Sequence, residues 1–98
     1  MTINKTQNGT ALTIALSGRL DTTTAPDLEK ELKDSLDGIT ELTMDFAELD
    51  YISSAGLRVL LSAHKTMSKV GTMKLIHVNE MVMEVFEVTG FADILTIE

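Results

Sequence analysis

The sequence contains no cysteine and no tryptophan. Without thiols it can form neither a disulfide framework nor a thiolate metal site. Aromatic residues are limited to Phe46, Tyr51, Phe86 and Phe91, so there is no platform on which nucleobases could stack. The core must instead come from Leu, Ile, Val and six Met. Cationic residues are scarce as well, with 8 Lys and Arg against 15 Asp and Glu and a formal net charge of −7. That field repels phosphate backbones and anionic membrane surfaces, which argues against direct binding to nucleic acid or to a membrane. No segment approaches the roughly 20 apolar residues of a membrane span, and Met1-Thr2-Ile3-Asn4-Lys5-Thr6 lacks a signal-peptide apolar region. A soluble cytoplasmic protein is expected. With 98 residues the chain has room for one core and not two, so a single domain over residues 1–98 is expected. The acidic balance favours a monomer in isolation and leaves a weak dimer open.

What is present is a regular succession of strand and helix patterns. Ile3 to Thr6 reads as a short strand, and Gln7-Asn8-Gly9-Thr10 carries an Asn-Gly signal for a tight hairpin into Leu12, Ile14 and Leu16, which alternate with Thr13, Ala15 and Ser17. Gly18 to Thr23 is expected as an exposed loop. Thr24-Ala25-Pro26-Asp27 then supplies an N-cap, a first-turn proline and an acidic third residue. Leu28, Leu32 and Leu36 form the apolar stripe of that helix, which Gly38 is expected to end. Leu42, Met44 and Phe46 alternate in a third strand. From Ala55 to about Lys69 a second helix carries Leu57, Leu60, Leu61, His64 and Met67, widened by Val59, Ala63 and Val70, with Gly71 as its stop. Met73, Leu75, Ile76 and Val78 suggest a fourth strand. Asn79 can cap a third helix bearing Met81, Val82, Val85, Phe86 and Val88 and ending at Gly90, before a short terminal strand or tail from Ile94 to Ile97. The order β-β-α-β-α-β-α, with an optional last strand, predicts an α/β fold. It is a mixed sheet of four to five strands with an antiparallel N-terminal hairpin, packed by three or four helices.

Between the third strand and the second helix stands Asp50-Tyr51-Ile52-Ser53-Ser54-Ala55-Gly56-Leu57. It puts two hydroxyls at a helix start, where free N–H groups and the positive end of the dipole tolerate an anion. Serine is also a preferred N-cap, so capping alone is the simplest role for either residue. Gly56 in a first helical turn is unfavourable relative to Ala by about 1 kcal/mol. Relief of crowding and close approach of a partner backbone both account for it.

This stretch, together with Gly18-Arg19-Leu20-Asp21, Thr24-Ala25-Pro26 and Ser54-Ala55-Gly56-Leu57-Arg58-Val59-Leu60-Leu61, resembles the STAS domain of bacterial anti-sigma factor antagonists over nearly the whole chain. In that motif an acidic strand end precedes a Ser-Ser or Asp-Ser pair, a small residue, Gly and Leu. The resemblance implies partner switching in transcription regulation, often in a stress response. The unphosphorylated protein would bind an anti-sigma factor that is also a serine kinase and free the sigma factor. Phosphorylation would end binding, and a PP2C-type serine phosphatase would reverse it. The phosphorylated serine of the motif lies two residues before the glycine, which is Ser54 here, with Ser53 the runner-up where the family often has Asp. The implied contact surface is Asp21, Ser53, Ser54, Gly56 and Leu57, with Thr22, Thr23 and Arg58 at its edge. Glu48 and Asp50 are expected to add acidity at the same end of the sheet. No cofactor is implied, since ATP belongs to the kinase.

Two rivals stand beside this expectation. One is a STAS scaffold or transporter-associated module with no phosphate cycle. The other makes Ser54 a catalytic nucleophile, but the turn lacks the G-x-S-x-G elbow, and neither His64 nor His77 is tied to it by a motif. His64 is expected to be partly buried on its helix, His77 to face outward, and Met81 and Met83 to serve core and neighbour contacts. Neither a phosphate-binding nor a dinucleotide-binding glycine pattern occurs, and two lone histidines make no metal site.

Overall fold

Leu12, Ile14 and Leu16 share their alternation with Leu42, Met44 and Phe46, and the computed structural model, which describes residues 1–98, places all six on one buried sheet face. The elements are β1 (Thr2–Asn8), β2 (Ala11–Leu20), α1 (Ala25–Ser35), β3 (Glu41–Ile52), α2 (Ser54–Ser68), β4 (Thr72–Ile76) and α3 (Glu80–Thr89), followed by a 3-10 turn at Phe91–Asp93. The strands lie in the order β1-β2-β3-β4, with β1 antiparallel to β2 and the other two pairings parallel. This is the expected mixed sheet. The optional last strand is reduced to a single bridge between Leu75 and Ile97. Successive crossovers of one hand carry α1 and α2 over the same face. α3 joins that layer by setting Phe86 against Phe46, with ring centroids 6.5 Å apart. The 23 buried hydrophobic residues form one cluster, and no charged side chain is buried. Thr13, Ala15, Thr43 and Asp45 point to the opposite face, which stays half exposed.

Several sequence expectations are corrected. Gly18 to Leu20 is not loop but the end of β2, and Leu20 is fully buried. The reason lies in β3, which holds two extra residues relative to β2, at the register shifts between Ala15 and Ser17 and between Gly18 and Arg19. Each such bulge resets the alternation, so the buried residues of β3 pass from every second to every third position at Phe46, Leu49 and Ile52. Strand pairing thereby continues to Leu20 and Ile52. Val70 lies beyond the end of α2 and is 56% exposed, so it does not widen the stripe. Met81 and Val88 are 60% and 82% exposed, because α3 turns Val82 and Phe86 toward the core. Met83 packs against that core half-buried.

Gly71 does not act as a left-handed helix stop. A Cβ there would fall 1.8 Å from the Thr40 carbonyl oxygen, the acceptor of the 2.9 Å bond from Thr72 N–H that starts β4 beside β3. The glycine is required by backbone crowding. Gly71→Ala should therefore lower stability by about 1–3 kcal/mol or more, the usual range for forced overpacking. Urea denaturation would read this as a shifted midpoint, and an unchanged midpoint would show that the strand start can move aside.

Candidate functional site

β2 and β3 end side by side at Leu20 and Ile52, and Ser53 N–H donates to the Leu20 carbonyl at 2.9 Å. The chain then turns directly into α2. Ser53 holds the N-cap position with extended backbone (φ −103, ψ 175), and its carbonyl accepts the first helical bond from Leu57 N–H at 3.0 Å. Its hydroxyl makes no capping bond, and the Oγ is buried without a partner. Ser54, the first helical residue, is exposed. The two hydroxyls expected together at the helix start are thus sorted, one inward and one outward.

Gly56 and Leu57, expected at the contact surface, are corrected to core positions. A Cβ on Gly56 would lie 2.7 Å from Leu20 Cγ and 2.9 Å from Ile52 Cγ1, and Leu57 is only 5% exposed. The glycine lets α2 press onto the strand ends of its own chain, which answers for its low helix propensity. Arg58 is exposed and one helical turn beyond Ser54, on the same side.

The loop from Asp21 to Thr24 borders this turn through the pairing of Leu20 with Ile52. Asp21 Oδ1 accepts from the Thr23 hydroxyl at 2.7 Å, from Thr23 N–H at 3.0 Å and from Thr24 N–H at 3.2 Å. The Thr23 hydroxyl is the main cause that holds the Asp21 carboxyl below its ordinary 3.8; desolvation opposes it and the two N–H groups assist it. Thr24 Oγ1 donates to the Arg19 carbonyl and accepts from Asp21 N–H, both at 2.8 Å. It therefore sits at the N-cap of α1 without a side-chain cap bond. Arg19 reaches Asp21 Oδ2 at 3.7 Å while its guanidinium lies 4.2 Å from the Tyr51 ring centroid. This clasp was not legible in the sequence, since Arg19 opposes Tyr51 only after both register shifts of β3. Thr22, Thr23, Ser54 and Arg58 are exposed, Asp21 and Tyr51 half-buried, and Glu48 and Asp50 project from the same half of β3.

Neither histidine serves the serines. His77 Nδ1 lies 2.9 Å from Asp45 Oδ1, and the half-buried His64 sits ten residues farther along α2 than Ser54, about 15 Å at helical rise. No group of three or more His, Cys, Asp or Glu could hold a metal ion, and no helix is long and apolar enough to cross a membrane. A groove of about 630 Å³ between α1 and α2, lined by Leu36, Ile39, Val59 and Val70, opens at the opposite end of α2 from Ser54.

Comparison with known proteins agrees with this architecture. The model of the STAS domain matches residues 2–98. The chain is 40% identical over 88 residues to BtrV of Bordetella bronchiseptica, named as a candidate anti-sigma factor antagonist, covering 88% of this chain and 76% of BtrV. It is 28% identical over 92 residues to the anti-sigma-B factor antagonist of Bacillus subtilis, covering 93% of this chain and 84% of that protein. Among solved structures, the Bacillus anti-sigma factor antagonist SpoIIAA superposes with a TM-score of 0.78 in its unphosphorylated form, at 16% identity over 99% of this chain and 87% of SpoIIAA. The phosphorylated form gives the same TM-score at 17% identity, over 99% of this chain and 91% of that one.

Two outcomes follow from the geometry of the turn. Ser53→Ala should cause none of the loss of about 1 kcal/mol typical of an N-cap serine, and should raise the denaturant midpoint if the buried Oγ stays unpaired. A loss of that size would reveal a bond made by the hydroxyl. The depressed folded value of Asp21 makes its contribution to stability present above 3.8 and lost as pH falls through that lower value. Asp21→Asn should accordingly flatten the acid limb of a stability profile measured from pH 6 to pH 2.

Proposed function

The chain belongs to the STAS domain family, and from that premise we propose that it is an anti-sigma factor antagonist whose switch is the hydroxyl of Ser54. Unphosphorylated, it binds an anti-sigma factor that is also a serine kinase, and the sigma factor goes free. Phosphorylated on Ser54 by that kinase, it lets go, and a PP2C-type serine phosphatase returns it to the binding form. The chain is a kinase substrate and a regulator without catalysis of its own, and ATP is the partner's ligand.

The observation that carries this reading is the opposite exposure of the two serines. A kinase must bring the γ-phosphate to the acceptor oxygen, and Ser54 is open to it while the Ser53 Oγ is sealed. The start of α2 favours the added charge of about −1.5 to −2 through its free N–H groups and dipole. The fold is therefore retained and the effect is felt at the surface. Like TM-scores to both forms of SpoIIAA support a switch without refolding. An interface formed over Ser54 and Arg58, with Asp21, Thr22 and Thr23 at its edge, would then have to desolvate a doubly charged group on the half of the sheet that already carries Glu48 and Asp50. Gly56 and Leu57 act from beneath, by holding the helix start in place.

Intact-mass analysis with phosphosite mapping of the protein from its own cells, in unstressed and stressed growth, tests the proposal. One phosphate on Ser54 in a condition-dependent fraction is expected, with none on Ser53. Ser54→Asp should weaken binding to the anti-sigma partner by more than tenfold, about 1.4 kcal/mol, with an unchanged circular dichroism spectrum. Absence of phosphate in every condition would favour an unregulated STAS scaffold.

A further inference from the structure

All eight Lys and Arg residues lie between Lys5 and Lys74, so residues 75–98 carry Glu80, Glu84, Glu87, Asp93 and Glu98 with no Lys or Arg among them. Three of these carboxylates stand on α3 at positions i, i+4 and i+7, all exposed, and none forms an ion pair. Like charges at these spacings destabilise a helix. Glu80 is favoured by the N-terminal end of the dipole, but Glu87 stands in the last turn, where a cation belongs and none is present. The helix therefore retains a charge pattern that its own stability disfavours.

The same helix exposes apolar surface. Met81 and Val88 are 60% and 82% exposed, and with half-buried Val85 they repeat at i, i+4 and i+7. At about 100° per residue the three form a stripe along one flank of α3, and the glutamates form a second row beside it. A shallow depression bounded by Met81, Glu84, Val85, Val88 and Thr89 lies along the stripe. Val82 and Phe86 face the core and anchor the helix from the other side.

We propose that this face of α3 is a docking surface for a basic amphipathic helix of another protein, its apolar side seated on Met81, Val85 and Val88 and its Lys or Arg residues neutralising Glu80, Glu84 and Glu87. Helix-on-helix docking uses anchors at this spacing, and charge complementarity selects a cationic partner. A second copy of the chain is disfavoured, because each carries a net charge of −7 and a two-fold contact would set these glutamates against their own copies. None of the residues on this face belongs to the surface proposed around Ser54.

The test is a titration of the full chain, isotopically labelled for NMR, with a synthetic helical peptide bearing a leucine stripe flanked by Lys and Arg. Shift changes confined to residues 80–89 and their packing neighbours are expected, with affinity falling as salt rises. The variant Met81→Ser with Val88→Ser, both outside the buried core, should lower affinity at least tenfold with an unchanged circular dichroism spectrum. Glu80→Gln, Glu84→Gln and Glu87→Gln together should remove most of the salt dependence. Shift changes elsewhere, or affinity indifferent to both variants, would overturn the proposal. So would concentration-dependent self-association, seen by sedimentation and abolished by Val88→Ser, which would make a second copy the occupant.

Discussion

The seating of α2 on the ends of β2 and β3 is the contact on which the site depends. It exists because residue 56 has no Cβ: Leu20 and Ile52 occupy the space that one would fill. With the helix pressed this closely, Ser53 closes the gap between strand and helix and its hydroxyl is enclosed. Ser54 is left at the rim. A wider spacing would relieve the crowding, but it would also open the Ser53 Oγ and remove the distinction between the two hydroxyls. A steric fact about a glycine thus becomes a chemical fact about which oxygen another protein can reach.

Around that contact, polar groups are used to hold geometry as much as to offer it. Asp21 directs one carboxylate oxygen to Thr23 and Thr24 and the other toward Arg19, which in turn covers Tyr51. The residues flanking the serine turn are therefore pre-ordered before any partner arrives, and ordering them on binding would carry little entropic cost. The contrast with α3 is physical. There the glutamates form no ion pair, they repel one another, and Glu87 stands at the end of the helix dipole where a cation belongs.

Much of this was legible in sequence because it rests on local periodicity. The alternation through Leu12 to Leu16 and Leu42 to Phe46, the Asn79 cap and the apolar spacing of α2 all translate directly into elements. What could not be read depends on register or on distance along the chain. The bulges of β3 hid the strand character of Gly18 to Leu20 and the meeting of Arg19 with Tyr51. A helical pattern richer in apolar residues than its core face can use concealed that Met81 and Val88 point outward. In sequence Gly71 reads as punctuation, because Thr40, whose carbonyl crowds it, lies 31 positions earlier. The serine pair was visible at once, but only the packing of Gly56 separates an accessible hydroxyl from an enclosed one.

The first bulge of β3, between Asp45 and Glu48, divides the strand into two parts with different duties. Glu41 to Phe46 runs in simple alternation and bears the load of the core, while Leu49 to Ile52 aims the helix that follows. Because the register shifts between them, the two parts bury their side chains on different periods, every second residue in the first and every third in the second. The residues that fill the core and those that aim the Ser54 hydroxyl are thus largely separate sets along one strand.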